Sequence, residues 1–169
     1  MQIGYGIVLE GEIFNFMRDM ELKLFQQYGF EKGMEQPPHI TIKPPFEVEE
    51  IDSYMDYLEE FCSKIDSFDV ELEGFNSFSN KVIYLDVMKN DMLHKLNQII
   101  MSDLKLESDE MIFHATLGYG DLSEEKFKDA FEYLKVNFKP KFKFRVSKIG
   151  IFLNLPNDAG WIIVKECSL

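Results

Sequence analysis

The apolar residues of this chain recur at three- and four-residue intervals in four separate segments. That spacing is typical of helices that bury one face. The four predicted helices carry Ile13, Met17, Met20 and Leu24; Ile51, Met55, Leu58, Cys62 and Ile65; Leu93, Leu96 and Ile100; and Phe127, Phe131 and Leu134. Gly29 is placed to end the first helix, Asn90 to cap the third and Ser123 to open the fourth.

Between these helices the chain contains short runs of β-branched and aromatic residues, which predict β-strands. We expect strands over residues 4–10, 68–75, 82–88, 111–118, 142–153 and 161–166, and a further strand that begins at His39. Residues 76–81 and 156–160 are rich in turn formers and predict connections between neighbouring strands. We expect Pro44 and Pro45 to end the strand that begins at His39, because proline lacks the amide hydrogen that a sheet ladder uses.

Two of the predicted strands carry the same short motif, a histidine followed two residues later by a threonine. His39 and Thr41 form the first copy, and His114 and Thr116 form the second. The chain has only three histidines and no other threonine, so chance is a poor explanation for the match. Alternate residues of a strand point to one side of the sheet, so each histidine is expected to share a face with its threonine.

The order strand, helix, motif strand, helix, strand occurs twice along the chain. The two motifs lie a little under half of the chain apart, which indicates an internal duplication. Because a sheet must bury one face, we expect each half to form an antiparallel sheet with helices on one side. The uncovered faces would meet across a central cleft that holds both motifs. The predicted fold is a bilobal, pseudo-twofold α+β domain that spans residues 1–169.

The composition fits a globular protein with a sizeable core, since 46% of its 169 residues are hydrophobic and sixteen are phenylalanine. No apolar run approaches the length of a membrane span. The first ten residues lack the basic region of a signal peptide. Cys62 and Cys167 are isolated and lack metal-ligand spacing, so we interpret them as reduced thiols. We therefore expect a cytoplasmic protein without a membrane partner.

The net charge of −12 disfavours tight binding to long nucleic acid, because an acidic surface repels a polyanion. The charge is unevenly distributed. Residues 47–66 contain eight acidic residues, the expected solvent face of a helix, whereas residues 135–148 contain six basic residues and no acidic one. We interpret the basic run as an edge strand with a charged solvent face; the alternative is a patch that attracts phosphate.

The two motifs resemble those of the two-histidine (2H) phosphoesterase superfamily, most closely its 2′-5′ RNA ligase-like and cyclic phosphodiesterase branch. The first family motif is matched by His39-Ile40-Thr41-Ile42, ahead of a lysine and Pro45-Phe46, and the second by His114-Ala115-Thr116-Leu117. The resemblance covers nearly the whole chain in length and element order, but its specificity rests on the motifs and their flanks. The basic residues that often follow the second motif are replaced here by Gly118-Tyr119-Gly120.

The resemblance implies a bilobal α+β fold with both motifs in a central cleft, and an activity that needs no metal or other cofactor. Known members act on 2′,3′-cyclic phosphates, 2′-5′ linkages, ADP-ribose 1″,2″-cyclic phosphate or RNA 3′ ends. For this chain it implies a phosphoric diester hydrolase that opens, or reversibly forms, a cyclic phosphate or a 2′-linked phosphodiester. The expected partner is a small nucleotide or an RNA end, and we expect a monomer.

The chemistry of the motif residues suits this reaction. Histidine titrates near neutrality, so His39 and His114, the candidate catalytic residues, can supply one general base and one general acid. The hydroxyls of Thr41 and Thr116 are candidates for binding the phosphate, and Lys43 is a further candidate that adds a positive charge. Which imidazole acts as the base depends on how the substrate lies in the cleft, and this stays open.

Other residues near the motifs carry weaker signals. Gly118 follows Thr116 on the open face, where the lack of a side chain would let a ligand approach closely. Phe46 and Tyr119 are candidates for stacking on a base, with packing in the core or at the rim as the alternative. His94 lies on a predicted helix and is interpreted as a surface residue.

Two other functions fit the same motif residues. A non-catalytic module would hold a nucleotide phosphate in the same cleft, but it would not need to keep two proton-transfer groups. A zinc hydrolase would use His39 and His114 as metal ligands. The chain offers it neither a credible third ligand nor His-Glu-x-x-His spacing, so the metal-independent enzyme is the leading interpretation.

Overall fold

The computed structural model of the chain describes residues 1–107, 111–120, 122–157 and 159–169. Within these ranges the chain forms eight β-strands, four α-helices and one 3₁₀ turn. The strands are β1 (Gln2–Val8), β2 (His39–Glu47), β3 (Phe68–Phe78), β4 (Val82–Val87), β5 (His114–Tyr119), β6 (Lys141–Val146), β7 (Lys148–Asn154) and β8 (Trp161–Ser168). The helices are α1 (Gly11–Tyr28), α2 (Asp52–Cys62), α3 (Asp91–Asp103) and α4 (Glu124–Asn137), and the 3₁₀ turn is Lys32–Glu35.

The strands form two four-stranded sheets in which every described pairing is antiparallel. The first sheet has the order β2-β1-β7-β8, and the second has the order β5-β4-β3-β6. The motif strands β2 and β5 are edge strands of the two sheets, and they contact each other. The predicted α+β fold, with two antiparallel sheets, outer helices and a cleft between the sheets, is confirmed.

The two halves of the chain exchange elements, and here the fold departs from a simple duplication. Helix α1 belongs to the first half, yet it packs against β5 and α4; helix α3 belongs to the second half and packs against β2. Strands β7 and β8 come last in the chain and return to the first sheet. The expectation that each half forms its own sheet with helices on one side is therefore wrong for β7, β8, α1 and α3, whereas α2 packs on the first sheet and α4 on the second. Periodicity identifies the buried face of a helix but not the sheet that buries it.

Three helix ends are fixed by the residues predicted to fix them. Asn90 Oδ1 accepts hydrogen bonds from two backbone N–H groups in the first turn of α3. Ser123 Oγ accepts one from the first turn of α4. Gly29 adopts a left-handed φ of 82° after α1, and its N–H donates to the Phe25 carbonyl. These contacts satisfy polar backbone groups that a helix end otherwise leaves unpaired.

Strand β2 continues through Pro44 and Pro45 to Glu47, so the prediction that the two prolines end it is wrong. An edge strand tolerates proline because its outer side has no ladder to join. The pairing of β2 with β1 also shifts register between Ile3 and Tyr5, opposite the two prolines. The missing amides are accommodated at this irregularity.

Strand β1 lies two residues earlier than predicted and β5 begins only at His114, and two further differences change how the strands are connected. The single strand predicted over residues 142–153 is two strands, β6 and β7, which separate at Ser147 and enter different sheets. The apolar pattern runs through both strands, so it does not mark the change of sheet. Strand β3 extends to Phe78, and Ser79 and Asn80, with φ values of 55° and 50°, form the turn to β4. Positive φ at both positions is typical of a tight hairpin turn.

The basic run predicted to form an edge strand is largely strand β6, which lies at the edge of the second sheet. Its cations alternate along the strand and face carboxylates on β3. The ion pairs are Lys141–Glu73 at 2.8 Å, Lys143–Glu71 at 3.4 Å and Arg145–Asp69 at 3.3 Å. The interpretation of the basic run as an edge strand with a charged solvent face is confirmed. The carboxylates of β3 offset the electrostatic attraction of these cations for a phosphate.

The core lies on the helix side of each sheet. The apolar residues between and after the motif histidines and threonines are completely buried, as the alternation predicts; they are Ile40, Ile42, Ala115 and Leu117. Cys62 and Cys167 are free thiols. Within the described ranges, none of the helices combines the length and the apolar content needed to cross a bilayer.

Gly33 in the 3₁₀ turn packs directly on the backbone of β5, at the Leu117 carbonyl. We predict that Gly33→Ala lowers the free energy of unfolding by roughly 1–3 kcal/mol, because the new Cβ would overlap that carbonyl. Denaturant unfolding followed by circular dichroism measures the change. Gly120→Ala is the matched control, since a Cβ there meets no atom within 4 Å. Equal losses in the two variants would contradict the prediction.

Candidate active site

The cleft between the two sheets contains a cavity of about 270 Å³. His39 and Thr41 line it from β2, and His114 and Thr116 line it from β5. Lys43 of β2 also lines it. The structure therefore brings all five candidate site residues to one cavity, although they come from strands of different sheets.

Aromatic side chains form much of the remaining wall. Phe152 and Trp161 contribute from the first sheet, and Phe78 and Tyr119 from the second. Of these, only Tyr119 is suggested by the sequence, because the other three lie on strands without a motif. Alternation alone does not distinguish a face that lines a cleft from one that meets solvent. Phe46 packs against other aromatic rings and does not line this cavity.

Each motif strand carries a β-bulge at the residue that follows its threonine. In β2 the extra residue is Ile42, which has no partner in the register with β1. In β5 it is Leu117, which has no partner in the register with β4. A bulge bends its strand and redirects the side chains beyond it. The two bulges therefore determine where Lys43 and Gly118, the next residues in the two strands, are directed.

Lys43 and Gly118 hold equivalent places after the bulges but differ in their surroundings. The Lys43 side chain is only 6% exposed. Its Nζ donates to the Pro44 carbonyl at 3.0 Å and lies 5.3 Å from the Phe46 ring centroid, which places a positive charge in the cavity wall. Gly118 is buried, and a Cβ there would lie 2.9 Å from the Phe30 ring. The expectation that Gly118 opens space for a ligand is wrong, because Phe30 fills that space.

The two imidazoles are held in the same way. His39 Nδ1 lies 2.8 Å from the Pro37 carbonyl oxygen, and His114 Nδ1 lies 2.7 Å from the Ile112 carbonyl oxygen. A carbonyl only accepts, so this network assigns the proton of each neutral ring to Nδ1. In both rings Nε2 is then the nitrogen that can exchange a proton with a ligand. His39 Nε2 lies 3.2 Å from Thr41 Oγ1 and accepts the hydroxyl hydrogen.

Burial among aromatic rings lowers the pKa of both histidines. The His39 ring lies 4.5 Å from Phe152, and the His114 ring lies 4.9 Å from both Phe78 and Tyr84, measured between centroids. Desolvation lowers the pKa of His39 to about 4, against the hydrogen bond to the Pro37 carbonyl, which raises it. Desolvation also lowers the pKa of His114. Without a ligand, both rings are therefore mainly neutral at pH 7.

A buried amide from the second half of the chain supports the bulge in β2. Asn97 of α3 donates its side-chain N–H to the Ile42 carbonyl at 2.8 Å. A bulged residue leaves the ladder, and its buried carbonyl then needs another donor. Asn97 is not among the predicted site residues. The sequence feature that could have indicated Asn97 is its position on the apolar stripe of the helix, one residue after Leu96, where a polar side chain is unusual.

The third histidine lies away from the cavity. His94 is exposed on α3, as predicted, and its ring packs edge-on against Phe113. Within the described ranges, no three side chains of the His, Cys, Asp and Glu types gather closely enough to hold a metal ion.

A cleft between two pseudo-symmetric sheets, with a histidine and a threonine from each, defines the two-histidine class of α+β proteins. Comparison with protein families agrees, because the model of the 2′-5′ RNA ligase superfamily matches residues 10–155. The chain belongs to this superfamily of two-histidine phosphoesterases.

Relatives in sequence carry a matching description. A protein of Geobacillus kaustophilus (strain HTA426), named "Putative phosphoesterase", is 30% identical over 133 residues, 75% of each chain. A protein of Bacillus cereus (strain B4264) with the same description is 35% identical over 106 residues, which cover 59% of this chain and 61% of the relative.

Solved structures share the fold at much lower identity. TT0787 of Thermus thermophilus has a TM-score of 0.72 at 12% identity, over 100% of this chain and 98% of its own. E. coli LigT complexed with 3′-AMP has a TM-score of 0.70 at 17% identity, over 99% and 97% of the two chains. At these identities the likeness concerns the fold.

The low pKa of His39 predicts a specific loss of stability in mild acid. An unfolded histidine titrates near 6.5, so between pH 6.5 and about 4 the unfolded chain binds more protons than the folded one. Stability therefore falls as the pH falls through this window. We expect His39→Gln to reduce the loss of unfolding free energy between pH 7 and pH 5 by about 1–2 kcal/mol.

Denaturant unfolding at the two pH values measures this difference. His94→Gln is the control, because that imidazole is exposed, and it should lose as much stability as the unmodified chain. If His39→Gln shows the same loss as His94→Gln, His39 is not buried in its neutral form.

Proposed function

We propose that this protein is a metal-independent phosphodiesterase that acts on a cyclic phosphate or a 2′-linked phosphodiester of a nucleotide or short RNA. The observation that carries the proposal is the matched pair of imidazoles in one cavity, each fixed through Nδ1 and each accompanied by a threonine. Opening a cyclic phosphate requires one proton to be removed and another to be supplied. Two Nε2 atoms in one cavity are suited to both transfers.

In the hydrolytic direction, a water oxygen forms a bond to phosphorus while the bond to the leaving oxygen breaks. One Nε2 takes a proton from the water, and the other donates a proton to the leaving oxygen. The atoms of one water molecule are added, and the two imidazoles recover their starting states by exchange with solvent. The reverse sequence would form the ring or linkage with the two roles interchanged.

The phosphate oxygens that gain charge during this reaction need fixed donors. Thr116 supplies a hydroxyl from the second sheet, and Lys43 supplies a buried cation in the same cavity wall. The Thr41 hydroxyl, which donates to His39 Nε2 without a ligand, would turn to a phosphate oxygen when the substrate binds. An anionic phosphate would also raise the pKa of both imidazoles, because it favours their charged forms. Substrate binding would thus favour the uptake of a proton from solvent by the imidazole that acts as the acid.

The size of the cavity supports a small substrate. A volume of about 270 Å³ suits a mononucleotide or a chain end rather than a long polymer. On one side the cavity is bordered by a contact between Gly160, which precedes β8, and the Glu35 carbonyl at the end of the 3₁₀ turn, next to Gln36 and Trp161 of the wall. The net charge of −12 also disfavours a long polyanion as the substrate. E. coli LigT, which shares the fold, has been crystallised in complex with the mononucleotide 3′-AMP.

We further propose that the protein acts as a monomer in the cytoplasm. The two free thiols, Cys62 and Cys167, support a reducing compartment.

A non-catalytic phosphate-binding module is the second candidate, and the low pKa of His39 favours it. If the phosphate fails to recharge one imidazole, the cavity holds two hydrogen-bonding groups and no general acid. Incubation with 2′,3′-cyclic nucleotides, analysed by ³¹P NMR, distinguishes the two: opening of the ring supports the enzyme, and binding without product supports the module.

Removal of either imidazole should abolish turnover. We expect His39→Ala and His114→Ala each to lower kcat by about 10²–10⁴-fold on 2′,3′-cyclic nucleotides or 2′-5′-linked dinucleotides, since each removes one proton transfer. Chromatographic separation of products gives the rates, and thermal unfolding checks that each variant folds. His94→Ala is the matched control and should keep full activity. Near-full activity in either motif variant would contradict the paired mechanism.

The reaction should also proceed without a metal. We expect turnover to persist after dialysis against EDTA, because the groups assigned to the chemistry are two imidazoles, two hydroxyls and an ammonium. Loss of activity with EDTA and its recovery with Zn²⁺ would support the zinc hydrolase instead.

A further inference from the structure

The two halves of the site are not equivalent in charge. On the second sheet, the residue directly opposite His114 in the β4–β5 register is Asp86. On the first sheet, the residue directly opposite His39 in the β1–β2 register is Val8. Directly opposed residues of antiparallel strands point to the same face, with Cβ atoms about 4.5–5.5 Å apart. A carboxylate therefore accompanies one imidazole, and an isopropyl group accompanies the other.

Asp86 is positioned to act on His114 and not on a ligand. It does not line the cavity, whereas His114 does. Its carboxylate accepts a hydrogen bond from Asn76 Nδ2 at 3.3 Å, a contact that orients it without adding a countercharge. His114 Nδ1 is already committed to the Ile112 carbonyl, so Asp86 influences the ring through space.

The other groups around His114 do not duplicate this effect. Strand β3 contributes the uncharged Phe78 against the ring. Among the described residues, the titratable groups that face His114 or share its cavity are Asp86 and Tyr84 of β4, His39 and Lys43 of β2, Tyr5 of β1 and Tyr119 of β5. Asp86 is the one carboxylate in that set. The Ile112 carbonyl also favours a positive charge on the ring, but His39 has the matching contact with the Pro37 carbonyl, so Asp86 is the group that distinguishes the two rings.

We propose that Asp86 is a positioning residue that assigns the roles of the pair, with His114 as the general acid and His39 as the general base in hydrolysis. This proposal rests on the phosphodiesterase function proposed above. Water gives its proton to His39 Nε2 as its oxygen bonds to phosphorus, and His114 Nε2 gives its proton to the oxygen that leaves. The opposite direction of reaction interchanges the roles.

The electrostatics of the two rings agree with this assignment. Burial lowers the pKa of His114, while the hydrogen bond to the Ile112 carbonyl and the Asp86 carboxylate both raise it. At His39 the nearby His114 ring adds to the lowering of the pKa by burial. When a bound phosphate favours protonation of the site, His114 is therefore protonated before His39.

NMR titration of the histidine Cε1–H signals tests the assignment without turnover, and the chain has only three histidines to resolve. In the unmodified protein we expect the His114 midpoint to lie above that of His39. In Asp86→Asn we expect the His114 midpoint to fall by roughly 0.5–1 pH unit, with a smaller change at His39. Asp86→Glu retains the charge and should keep the midpoint close to that of the unmodified protein.

Glu71→Gln is the matched control, because its carboxylate also lies on the second sheet but is paired with Lys143 on β6 at 3.4 Å. It should leave the His114 midpoint in place. A His39 midpoint above that of His114 in the unmodified protein would overturn the proposal even if Asp86→Asn does not fold. Equal shifts of His114 in Asp86→Asn and Glu71→Gln would also overturn it.

The pH dependence of turnover provides the second arm. The alkaline limb of the kcat/KM profile reports loss of the proton from the general acid. In Asp86→Asn this limb should move to lower pH by the same 0.5–1 pH unit as the His114 midpoint, so that kcat/KM at pH values above the limb falls by roughly 3–10-fold. A shifted acidic limb with the alkaline limb unchanged would assign His114 as the base and overturn the proposal. If no substrate is turned over but the NMR shift occurs, the phosphodiesterase function fails while the effect of Asp86 on His114 stands.

Discussion

Two hydrogen bonds determine what the cleft can do: in each motif the histidine Nδ1 donates to the backbone carbonyl two residues earlier. Each bond fixes the orientation of a ring, its tautomer and the nitrogen that meets a ligand. Because the acceptor carbonyl lies only two residues before the histidine, the same ring orientation forms at both motifs. The same arrangement at His39 and His114 makes one cavity into a site with two matched proton carriers.

The exchange of elements between the halves of the chain holds the two motif strands in place. Asn97, from the second half, supports the bulge after Thr41, and Gly33, from the first half, packs on the bulge after Thr116. Each motif strand is thus supported by the half of the chain that does not contain it. An edge strand with a bulge has few ladder bonds of its own, so this reciprocal support is what keeps the two imidazoles facing one cavity.

Features with a local cause could be predicted from the sequence. The caps at Asn90 and Ser123 and the alternation that buries Ile40 depend on neighbouring residues, and the paired motifs indicated the cavity. The register of the sheets could not be predicted, because a bulge at Leu117 depends on pairing with a distant strand. For that reason Gly118 faces Phe30 instead of the ligand, and β2 runs past Pro45. Asp86 could not be predicted for the same reason, since only the β4–β5 register places it opposite His114.

A crystal structure with a nucleoside vanadate, which mimics the five-coordinate phosphorus of the reaction, tests the central claim most directly. We predict one vanadium in the cavity, with Nε2 of His39 and Nε2 of His114 within hydrogen-bond distance of oxygens on its opposite sides. A vanadate that touches only one imidazole, or two ions bound separately at the two motifs, would contradict the paired mechanism.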